Sequence, residues 1–521
     1  MAYHIKTRFM KKNISLLLLT PFLLFSFSLT AQTPIVKTNA GLVSGSEVNG
    51  IQIFKGIPFA APPVGDLRWK APQPVKSWDD VKVCNAFGPS PMQSAPMPFM
   101  CWSEEYLIPK EPIGEDCLYL NVWSPRKSNQ KKAVIVYIYG GGFVSGGAGC
   151  AIYDGTAMAN KDVVFVSINY RVGVFGFLAH PELSNESDRK TSGNYALLDM
   201  VAALQWVHNN IANFGGDPSK VTIAGQSAGA FAVNFLAASP LTKGLIHGAI
   251  AESGGSILPS SIRPAMHLQQ MEAVGVGFAK KLGCNNIKDL RNKSSKEILA
   301  ASGMGLVGPF EDGYVVPSSM YETYANGNQN DIPTIIGWNL DDKIMGMPVS
   351  AKQFVENIQK QFGAKSDLLL SQYPANTDAE AAVSQGDLSR DQTFGVQGYT
   401  WASLQSENGK SPVYVYNFNR KLPPSSPAND FGAFHTGEVP YAYNNLHTVK
   451  NRPFTKADFE LADQMSSYWA NFAKTGNPNG KGLNNWPAYQ MQTKQIIQLD
   501  TKSEVVKLPT ETKLAVLSKI L

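Results

Sequence analysis

The sequence predicts an α/β protein with a central, mostly parallel sheet and helices on both faces of that sheet. Three observations predict this class. Short runs of β-branched and aromatic residues recur along the chain, these runs lack polar–apolar alternation, and stretches with helical spacing separate them. Continuous apolar strands that alternate with helices are typical of parallel strands buried on both faces.

The individual elements follow from their local patterns. The predicted strands are, in chain order, Lys132–Tyr139, Asp162–Asn169, Lys220–Gly225, His247–Ala251, Pro333–Gly337 and Val413–Phe418. The predicted helices are Tyr195–Asn213, Ala228–Ala238 and Lys456–Lys474, the last stopped by Gly476 and Pro478. Residues 256–331 read as mostly helical and lie between two strands, so we expect a helical cap or insertion over the carboxyl edge of the sheet.

Composition and charge exclude several classes of protein. The 521 residues are 44% hydrophobic and 17% charged, which excludes disordered, collagen-like and coiled-coil chains. The formal net charge is +5, but Lys6, Arg8, Lys11 and Lys12 supply four of these charges and no acidic residue precedes Gln32. The remainder is therefore close to neutral, which argues against a nucleic-acid partner because such partners need a basic face.

The first thirty-one residues have the pattern of a secretory signal peptide. Met1–Lys12 is basic, Ile14–Leu29 is almost wholly apolar, and the small residues Thr30 and Ala31 follow. The alternative is an uncleaved membrane anchor. The apolar stretch is interrupted by Pro21 and is short for a spanning helix, which needs ~20 residues. We expect cleavage near Ala31 and export of the mature chain to the periplasm or the medium, without membrane attachment.

The mature chain, residues 32–521, is then expected to form a single domain that contains the helical insertion at 256–331. Export permits disulfides, and the five cysteines are Cys84, Cys101, Cys117, Cys150 and Cys284. An odd number leaves at least one unpaired, and three cysteines between 84 and 117 invite one local bridge whose partners the sequence alone does not fix. No Cys-x-x-Cys or His-x-x-x-His spacing occurs, so no metal site is expected.

The pentapeptide Gly225–Gly229 (GQSAG) has the form of a nucleophile elbow. A predicted strand precedes it and a helix of small residues follows it, which is the setting in which a tight turn aims a serine out of a sheet. The neighbouring helix N-terminus favours the negative charge that develops during attack on a carbonyl. The pattern therefore predicts Ser227 as a nucleophile; the alternative is a serine that only caps the helix.

A serine nucleophile needs a base, and the chain has seven histidines. In this type of sheet the chain order is serine, acid, histidine, which leaves His435 and His447. His435 is flanked by small residues after the last predicted strand, whereas His447 has the surroundings of a surface loop, so we expect His435 to be the base. Gly140-Gly141-Gly142 directly after the first predicted strand can supply backbone donors for an oxyanion. A phosphate cradle is the other use of such glycines, but the Gly-Lys-Ser/Thr of a P-loop does not follow them.

With these residues in place, the chain resembles the type-B carboxylesterase/cholinesterase family of α/β-hydrolases, and within it the bacterial para-nitrobenzyl esterases. The resemblance covers nearly all of the mature chain. The matching motifs are Phe54–Ala60, Leu67–Trp69, Glu115–Val122, Tyr139–Phe143, Gly193–Tyr195, Gln205–Val207 and Asn210–Pro218, which leads into Ser227. The resemblance implies Ser227 as nucleophile, His435 as base and the backbone N–H groups of Gly141, Gly142 and Ala228 as oxyanion donors.

The acid departs from the family pattern. The family usually has Glu in a Gly-x-Asn-x-Asp-Glu-Gly segment, and here residues 337–343 read GWNLDDK, so Asp342 takes the place of the Glu. Asp also orients imidazole in many triads. Asp341 remains the alternative acid, because the side chain of Asp342 is one methylene shorter.

Other departures concern the surroundings of the site. The residue before the nucleophile is usually Glu and here is Gln226, which should weaken any preference for cationic substrates. Met92 lies next to where the family often has the first cysteine of its loop disulfide, so the resemblance leaves Cys117 to pair with Cys84 or, alternatively, with Cys101. Ser253 is expected to support the triad by hydrogen bonding.

The resemblance implies a serine carboxylesterase that works through an acyl-enzyme without a cofactor. Aromatic residues near the motifs are expected to line a gorge in part: Trp102, Tyr106, Phe143, Trp338 and Phe434. Such a gorge favours small or aryl esters of neutral alcohols, and a monomer or weak homodimer is expected. The alternatives are an amidase or thioesterase with the same triad, and a non-catalytic, cholinesterase-like binding module.

Overall fold

The structure, a computed structural model, describes residues 1–4, 33–125, 130–260, 264–303, 308–343 and 348–521. The chain divides into two compact units, Met1–Gln32 and Thr33–Leu521. The predicted signal peptide therefore lies almost entirely outside the described residues. Among the described residues, no helix combines the length and the apolar character that a membrane crossing requires.

The second unit is organised by a large mixed sheet. The strands are β1 (Ile35–Lys37), β2 (Leu42–Ser44), β3 (Ser46–Val48), β4 (Ile51–Pro58), β5 (Lys82–Val83), β6 (Ser90–Pro91), β7 (Ile113–Gly114), β8 (Tyr119–Pro125), β9 (Lys132–Ile138), β10 (Val164–Ile168), β11 (Gly216–Gln226), β12 (Gly248–Glu252), β13 (Thr334–Asn339), β14 (Val413–Phe418), β15 (Gln495–Leu499) and β16 (Glu504–Lys507). Eleven of them form one sheet in the order β16-β15-β14-β13-β12-β11-β9-β10-β8-β4-β3.

The centre of this sheet is parallel and its two ends are antiparallel. Strands β10, β9, β11, β12, β13, β14 and β15 pair in parallel, and antiparallel pairings add β16 at one end and β8, β4 and β3 at the other. Every residue of β10, β12, β13 and β14 is buried. Both faces of these strands are covered, which is why they read as unbroken apolar runs, and the predicted fold class is confirmed.

Helices cover the sheet. They are α1 (Thr156–Asn160), α2 (Gly173–Phe177), α3 (Pro181–Glu186), α4 (Tyr195–Asn210), α5 (Ala228–Ala238), α6 (Leu268–Lys281), α7 (Ile287–Arg291), α8 (Ser295–Ala301), α9 (Met320–Ala325), α10 (Ala351–Phe362), α11 (Ser366–Leu370), α12 (Asp378–Arg390), α13 (Val396–Asn408), α14 (Val439–Ala442), α15 (Lys456–Thr475) and α16 (Glu511–Ile520). Helix α5 is buried along its whole length, because its small side chains let it pack closely against β11 and β12.

The predicted elements differ from the observed ones mainly at their ends. Helix α4 ends at Asn210, three residues early, and a 3₁₀ turn at Ile211–Phe214 follows it. Strand β11 starts four residues before the predicted strand, with a register shift between Gly216 and Val221. Between β12 and β13 the described residues form α6 to α9, although residues 261–263 and 304–307 lie outside the description.

Parallel pairing brings the carboxyl ends of five strands to one edge of the sheet. The Gly140–Gly142 triplet follows β9, Ser227 follows β11, and Ser253 follows β12. Asp342 comes three residues after β13, and His435 lies in the long connection after β14. In open α/β sheets this edge is where functional side chains collect.

The disulfide between Cys84 and Cys117 is absent from the structure, and so is the alternative between Cys101 and Cys117. All five cysteines are buried free thiols. Cys84 follows β5 with Sγ 3.9 Å from the Gly56 carbonyl oxygen, whereas Cys117 precedes β8 and lies near the Arg171–Asp199 ion pair. Burial raises the pKa of Cys84 to about 11 and that of Cys117 well above its usual range, so each thiol is an enclosed neutral group.

Candidate active site

Ser227 occupies a strained turn between β11 and α5. Its φ is 55° and its ψ is −125°, outside the ordinary regions for a side-chain-bearing residue. The turn requires glycine at two neighbours: a Cβ on Gly229 would lie 2.0 Å from the Ile138 carbonyl oxygen, and one on Gly225 would lie 2.6 Å from the Gly229 carbonyl carbon. The Ser227 N–H donates to the Glu252 carbonyl at 2.9 Å, which ties the turn to β12.

His435 is held on three sides. Its Nδ1 lies 2.6 Å from Asp342 Oδ1. The Phe394 ring stacks on the imidazole at 4.8 Å between centroids and 17° between planes. Gln226 Nε2 lies 3.4 Å from Nδ1 and 3.3 Å from Nε2, and an atom so nearly equidistant from both nitrogens must lie over a face of the ring. The Nε2 edge is therefore the part of the imidazole left for a reacting group.

Asp342 is completely buried and is surrounded by donors. Besides the contact with His435, its Oδ2 accepts from Ser253 Oγ at 2.6 Å and from the Asn339 backbone N–H at 2.9 Å. Three such hydrogen bonds stabilise the charged form of a buried carboxylate. Asp341, the alternative acid, accepts from the Ala433 backbone N–H at 2.9 Å and has no contact with His435 among the described residues.

The glycine triplet after β9 faces the same turn. A Cβ on Gly140 would lie 2.7 Å from the Gln226 carbonyl oxygen, and Gly141 and Gly142 have φ of 114° and 63°. Both Gly141 and Gly142 are exposed, and no described acceptor takes their N–H groups or that of Ala228. Three backbone donors are therefore available next to Ser227, as an oxyanion site needs.

Ser227 and His435 are neighbours without a hydrogen bond between them among the described residues. Gln226, adjacent to Ser227, touches the imidazole, and Thr436, adjacent to His435, donates to Gln226 Oε1 at 3.4 Å. Nucleophile–base hydrogen bonds are often loose in unliganded enzymes and tighten when substrate binds. The arrangement brings the predicted nucleophile, base, acid and oxyanion donors to one edge of the sheet.

Two further carboxyl groups lie buried behind the site. Glu252 Oε1 accepts from Trp469 Nε1 at 2.6 Å and Tyr443 OH at 3.0 Å, and Glu438 Oε2 accepts from Asn339 Nδ2. The second oxygen of each carboxyl has no partner in the described structure. Burial raises the pKa of both Glu252 and Glu438 to about 8, and for Glu438 the nearby Asp342 adds to the effect.

The aromatic residues expected to line a gorge behave differently from one another. Trp102 is partly exposed, lies edge-on to His435 at 6.4 Å, and donates through Nε1 to Thr436 Oγ1 at 3.2 Å. The other four are buried packing residues: Tyr106, Phe143, Trp338 and Phe434. Phe394, which contacts the imidazole face, was not predicted, because it comes from a π-helical turn at Asp391–Gly395 that has no sequence motif.

The structure also gives the contacts of two other side chains, Asp391 and Ser253. Asp391 pairs with Arg390 Nε at 2.7 Å and accepts from Tyr373 OH at 2.9 Å, which are the contacts of a structural ion pair. Ser253 contacts the acid, as the sequence predicted. Among the described residues, no group of His, Cys, Asp and Glu side chains could hold a metal ion.

Comparisons with known proteins agree on one family. The model of the carboxylesterase family matches residues 32–517. Fumonisin B1 esterase of Sphingopyxis macrogoltabida is 36% identical over 479 residues, covering 87% of this chain and 84% of the relative. Para-nitrobenzyl esterase of Bacillus subtilis is 33% identical over 499 residues, covering 92% of this chain and 97% of the relative.

Solved structures give the same result. A PNB esterase structure superposes with a TM-score of 0.80 and 32% identity, covering 93% of this chain and 99% of that one. These matches confirm the α/β-hydrolase fold and the resemblance found in the sequence. The chain belongs to the carboxylesterase family and is a serine carboxylic ester hydrolase.

Proposed function

We propose that this chain hydrolyses small or aryl esters of neutral alcohols through an acyl-enzyme on Ser227, with His435 as base and Asp342 as the orienting acid. The observation that carries the proposal is that contacts with three side chains fix the position of the His435 imidazole. Its Nδ1 is hydrogen-bonded to Asp342, and it contacts Gln226 and Phe394, which leaves the Nε2 edge for a reacting group; Gln226 is the neighbour of Ser227 in the chain. With the Nδ1 proton on the Asp342 side, Nε2 has the free lone pair that a general base needs.

The chemical steps follow from this arrangement. Ser227 Oγ bonds to the ester carbonyl carbon while its proton passes to His435 Nε2, and the carbonyl π electrons move to the oxygen. The N–H groups of Gly141, Gly142 and Ala228 stabilise the oxyanion. The C–O bond to the alcohol then breaks, and the alcohol leaves with the proton from Nε2. Water repeats the sequence on the acyl-enzyme and releases the carboxylic acid.

Two features support the substrate class. Trp102 lies edge-on to the histidine, and the Phe99 ring packs on Trp102 at 4.7 Å between centroids and 41° between planes, which gives an aromatic wall for a flat or apolar group. Gln226 places a neutral amide where the family usually has a carboxylate, so no negative side chain next to Ser227 would attract a cationic alcohol.

The test uses the mature chain Gln32–Leu521 with 4-nitrophenyl acetate, butyrate and octanoate. Ser227→Ala should lose about 10⁵- to 10⁶-fold in kcat, and the exposed Ser371→Ala should match the wild type. A serine-directed fluorophosphonate should add its mass to the peptide with Ser227 alone. Turnover that survives in Ser227→Ala, or label on another serine, would overturn the assignment. Turnover of octanoate far above that of acetate would overturn the preference for small esters.

We also propose that residues 1–31 direct export and are removed. The support is the basic, then apolar, then small-residue pattern of Met1–Ala31. Expression in a Gram-negative host followed by intact-mass measurement should give a chain that begins near Gln32. Recovery of the uncleaved chain from the membrane fraction would contradict cleavage.

A further inference from the structure

An open cavity of about 300 Å³ has Trp102, which also contacts the proposed catalytic histidine, in its lining. We call it the Arg452 cavity. Its lining includes Phe99, Trp102, Ser103, Ser425, Asn429 and Arg452. Its link to the proposed triad is Trp102, which lines the cavity, lies edge-on to His435 and donates to Thr436. A group in this cavity is therefore one aromatic side chain away from the base.

Arg452 is a buried cation without an acidic partner. The residue is 7% exposed, and its guanidinium lies 4.8 Å from the centre of the Phe434 ring. Nη1 donates to the Pro423 carbonyl at 3.0 Å, and Nε is buried without an acceptor among the described residues. No Asp or Glu oxygen of the described chain comes within ion-pair distance of this guanidinium. Buried charges are ordinarily paired, so the unused donor points to a missing anion.

The rest of the lining fits the same interpretation. No acidic side chain lines the cavity, and Arg452 is its one charged lining residue in the described structure. Ser103 Oγ is also buried without a hydrogen-bond partner. Glu105, close in the chain, accepts from the Lys450 backbone N–H at 3.4 Å through Oε1, its Oε2 is buried without a partner, and neither oxygen is within ion-pair distance of Arg452 in the described structure. The cavity thus combines one guanidinium, one free hydroxyl and an aromatic wall.

We propose that the Arg452 cavity binds a free carboxylate carried by the ester substrate. This inference rests on the proposed ester hydrolysis and extends its substrate class to esters whose acyl part, or whose otherwise neutral alcohol part, bears a second, unesterified carboxyl group. A guanidinium matches the geometry of a carboxylate through two parallel N–H donors. One guanidinium also balances the single charge of one carboxylate. The Phe99–Trp102 wall would pack against the spacer between the ester and the carboxylate.

The experiment measures kcat/KM for two matched pairs of esters. One pair is 4-acetoxybenzoate and its methyl ester, which differ by a charge on the alcohol side. The other is the mono-4-nitrophenyl ester of glutaric acid and 4-nitrophenyl butyrate, which differ on the acyl side. The readout is the kcat/KM of the acidic ester divided by the kcat/KM of the neutral ester within each pair. A general loss of activity lowers both values equally and leaves this ratio unchanged.

Arg452→Gln should lower this ratio about 10- to 100-fold in at least one pair, the usual worth of a charge-assisted hydrogen bond. Lys450→Gln removes an exposed cation two residues away and should leave both ratios unchanged. Unchanged ratios in Arg452→Gln, or an equal fall in Lys450→Gln, would overturn the proposal.

A second variant keeps the test decisive if Arg452→Gln does not fold, since that side chain packs on Phe434. Asn429→Asp adds a carboxylate to the exposed rim of the cavity, where it would compete for the guanidinium. The ratio should fall in this variant also, and an unchanged ratio would overturn the proposal. If the wild type hydrolyses neither neutral ester, the proposed function has failed. If it hydrolyses them and the ratios do not respond, only the carboxylate site has failed.

Discussion

Two sets of buried carboxyl groups lie near one edge of this sheet, Asp342 in the first and Glu252 and Glu438 in the second. They differ in whether both oxygens of the carboxyl accept hydrogen bonds. Asp342 receives donors from His435, Ser253 and the Asn339 backbone. Glu252 and Glu438 are equally buried, but each has one oxygen without a partner. Burial raises the pKa of both glutamates to about 8, so they are mostly neutral at neutral pH. The comparison teaches that donors, and not depth, decide which carboxyl can act as the triad anion.

The largest expected effect is the loss of that anion. Asp342→Asn keeps the shape of the side chain but no longer fixes the tautomer of His435, and it should lower kcat on 4-nitrophenyl acetate about 10⁴-fold. Asp341→Asn is the matched control and should stay within about threefold, because its backbone contact to Ala433 survives through the amide oxygen. A larger loss in Asp341→Asn than in Asp342→Asn would reverse the assignment of the acid.

A longer acid at position 342 tests how closely the surrounding donors fit the side chain of Asp342. Asp342→Glu restores the residue type usual in the family, but it adds a methylene to a completely buried site with three fixed donors. Displacement of His435 by about 1 Å should lower kcat about 10- to 100-fold on the same substrate. Activity equal to that of the wild type would show that the surroundings of residue 342 accept either length of side chain.

Removal of one donor should have a smaller effect. Ser253→Ala deletes the 2.6 Å hydrogen bond to Asp342 Oδ2 and leaves the Asn339 N–H in place. A charge-assisted hydrogen bond of this kind corresponds to about 10-fold in kcat/KM. A rate in Ser253→Ala equal to that of the wild type would show that the serine is not needed to position the acid.

Substitution of Glu252, which lies behind the site, is expected to have the smallest effect on turnover and to change the stability of the protein instead. The native pKa of Glu252, about 8, lies above the ordinary value of 4.5. The stability that this gives is therefore present below about pH 4.5 and is lost as the pH rises towards 8. Glu252→Gln removes this dependence and can keep the acceptor for Trp469 and Tyr443.

The free energy of urea unfolding at pH 5 and pH 7.5 checks this prediction. The stability of Glu252→Gln relative to the wild type should rise between these two pH values by up to about 3 kcal/mol, at about 1.4 kcal/mol per pH unit. A difference in unfolding free energy between Glu252→Gln and the wild type that does not change with pH would mean that Glu252 is ionised in the native protein.

The sequence predicted the parts of the site that depend on local pattern. The GQSAG turn and the glycine triplet follow from steric needs within a few residues, so Ser227, Gly141 and Gly142 could be named in advance. Phe394 and Glu438 could not, since their positions depend on a π-helical turn and on the packing of α14. The structure does not show the expected disulfide: Cys84 and Cys117 are buried free thiols in different surroundings, which spacing along the chain does not reveal.

The most direct test of the comparison is infrared difference spectroscopy at pH 6 between the wild type and each of Glu252→Gln and Glu438→Gln. The account predicts that each glutamine variant removes a C=O stretching band of a protonated carboxyl, because pH 6 lies below the pKa of about 8 for both glutamates. A difference spectrum in which either variant loses carboxylate bands instead of a protonated-carboxyl band would contradict the account.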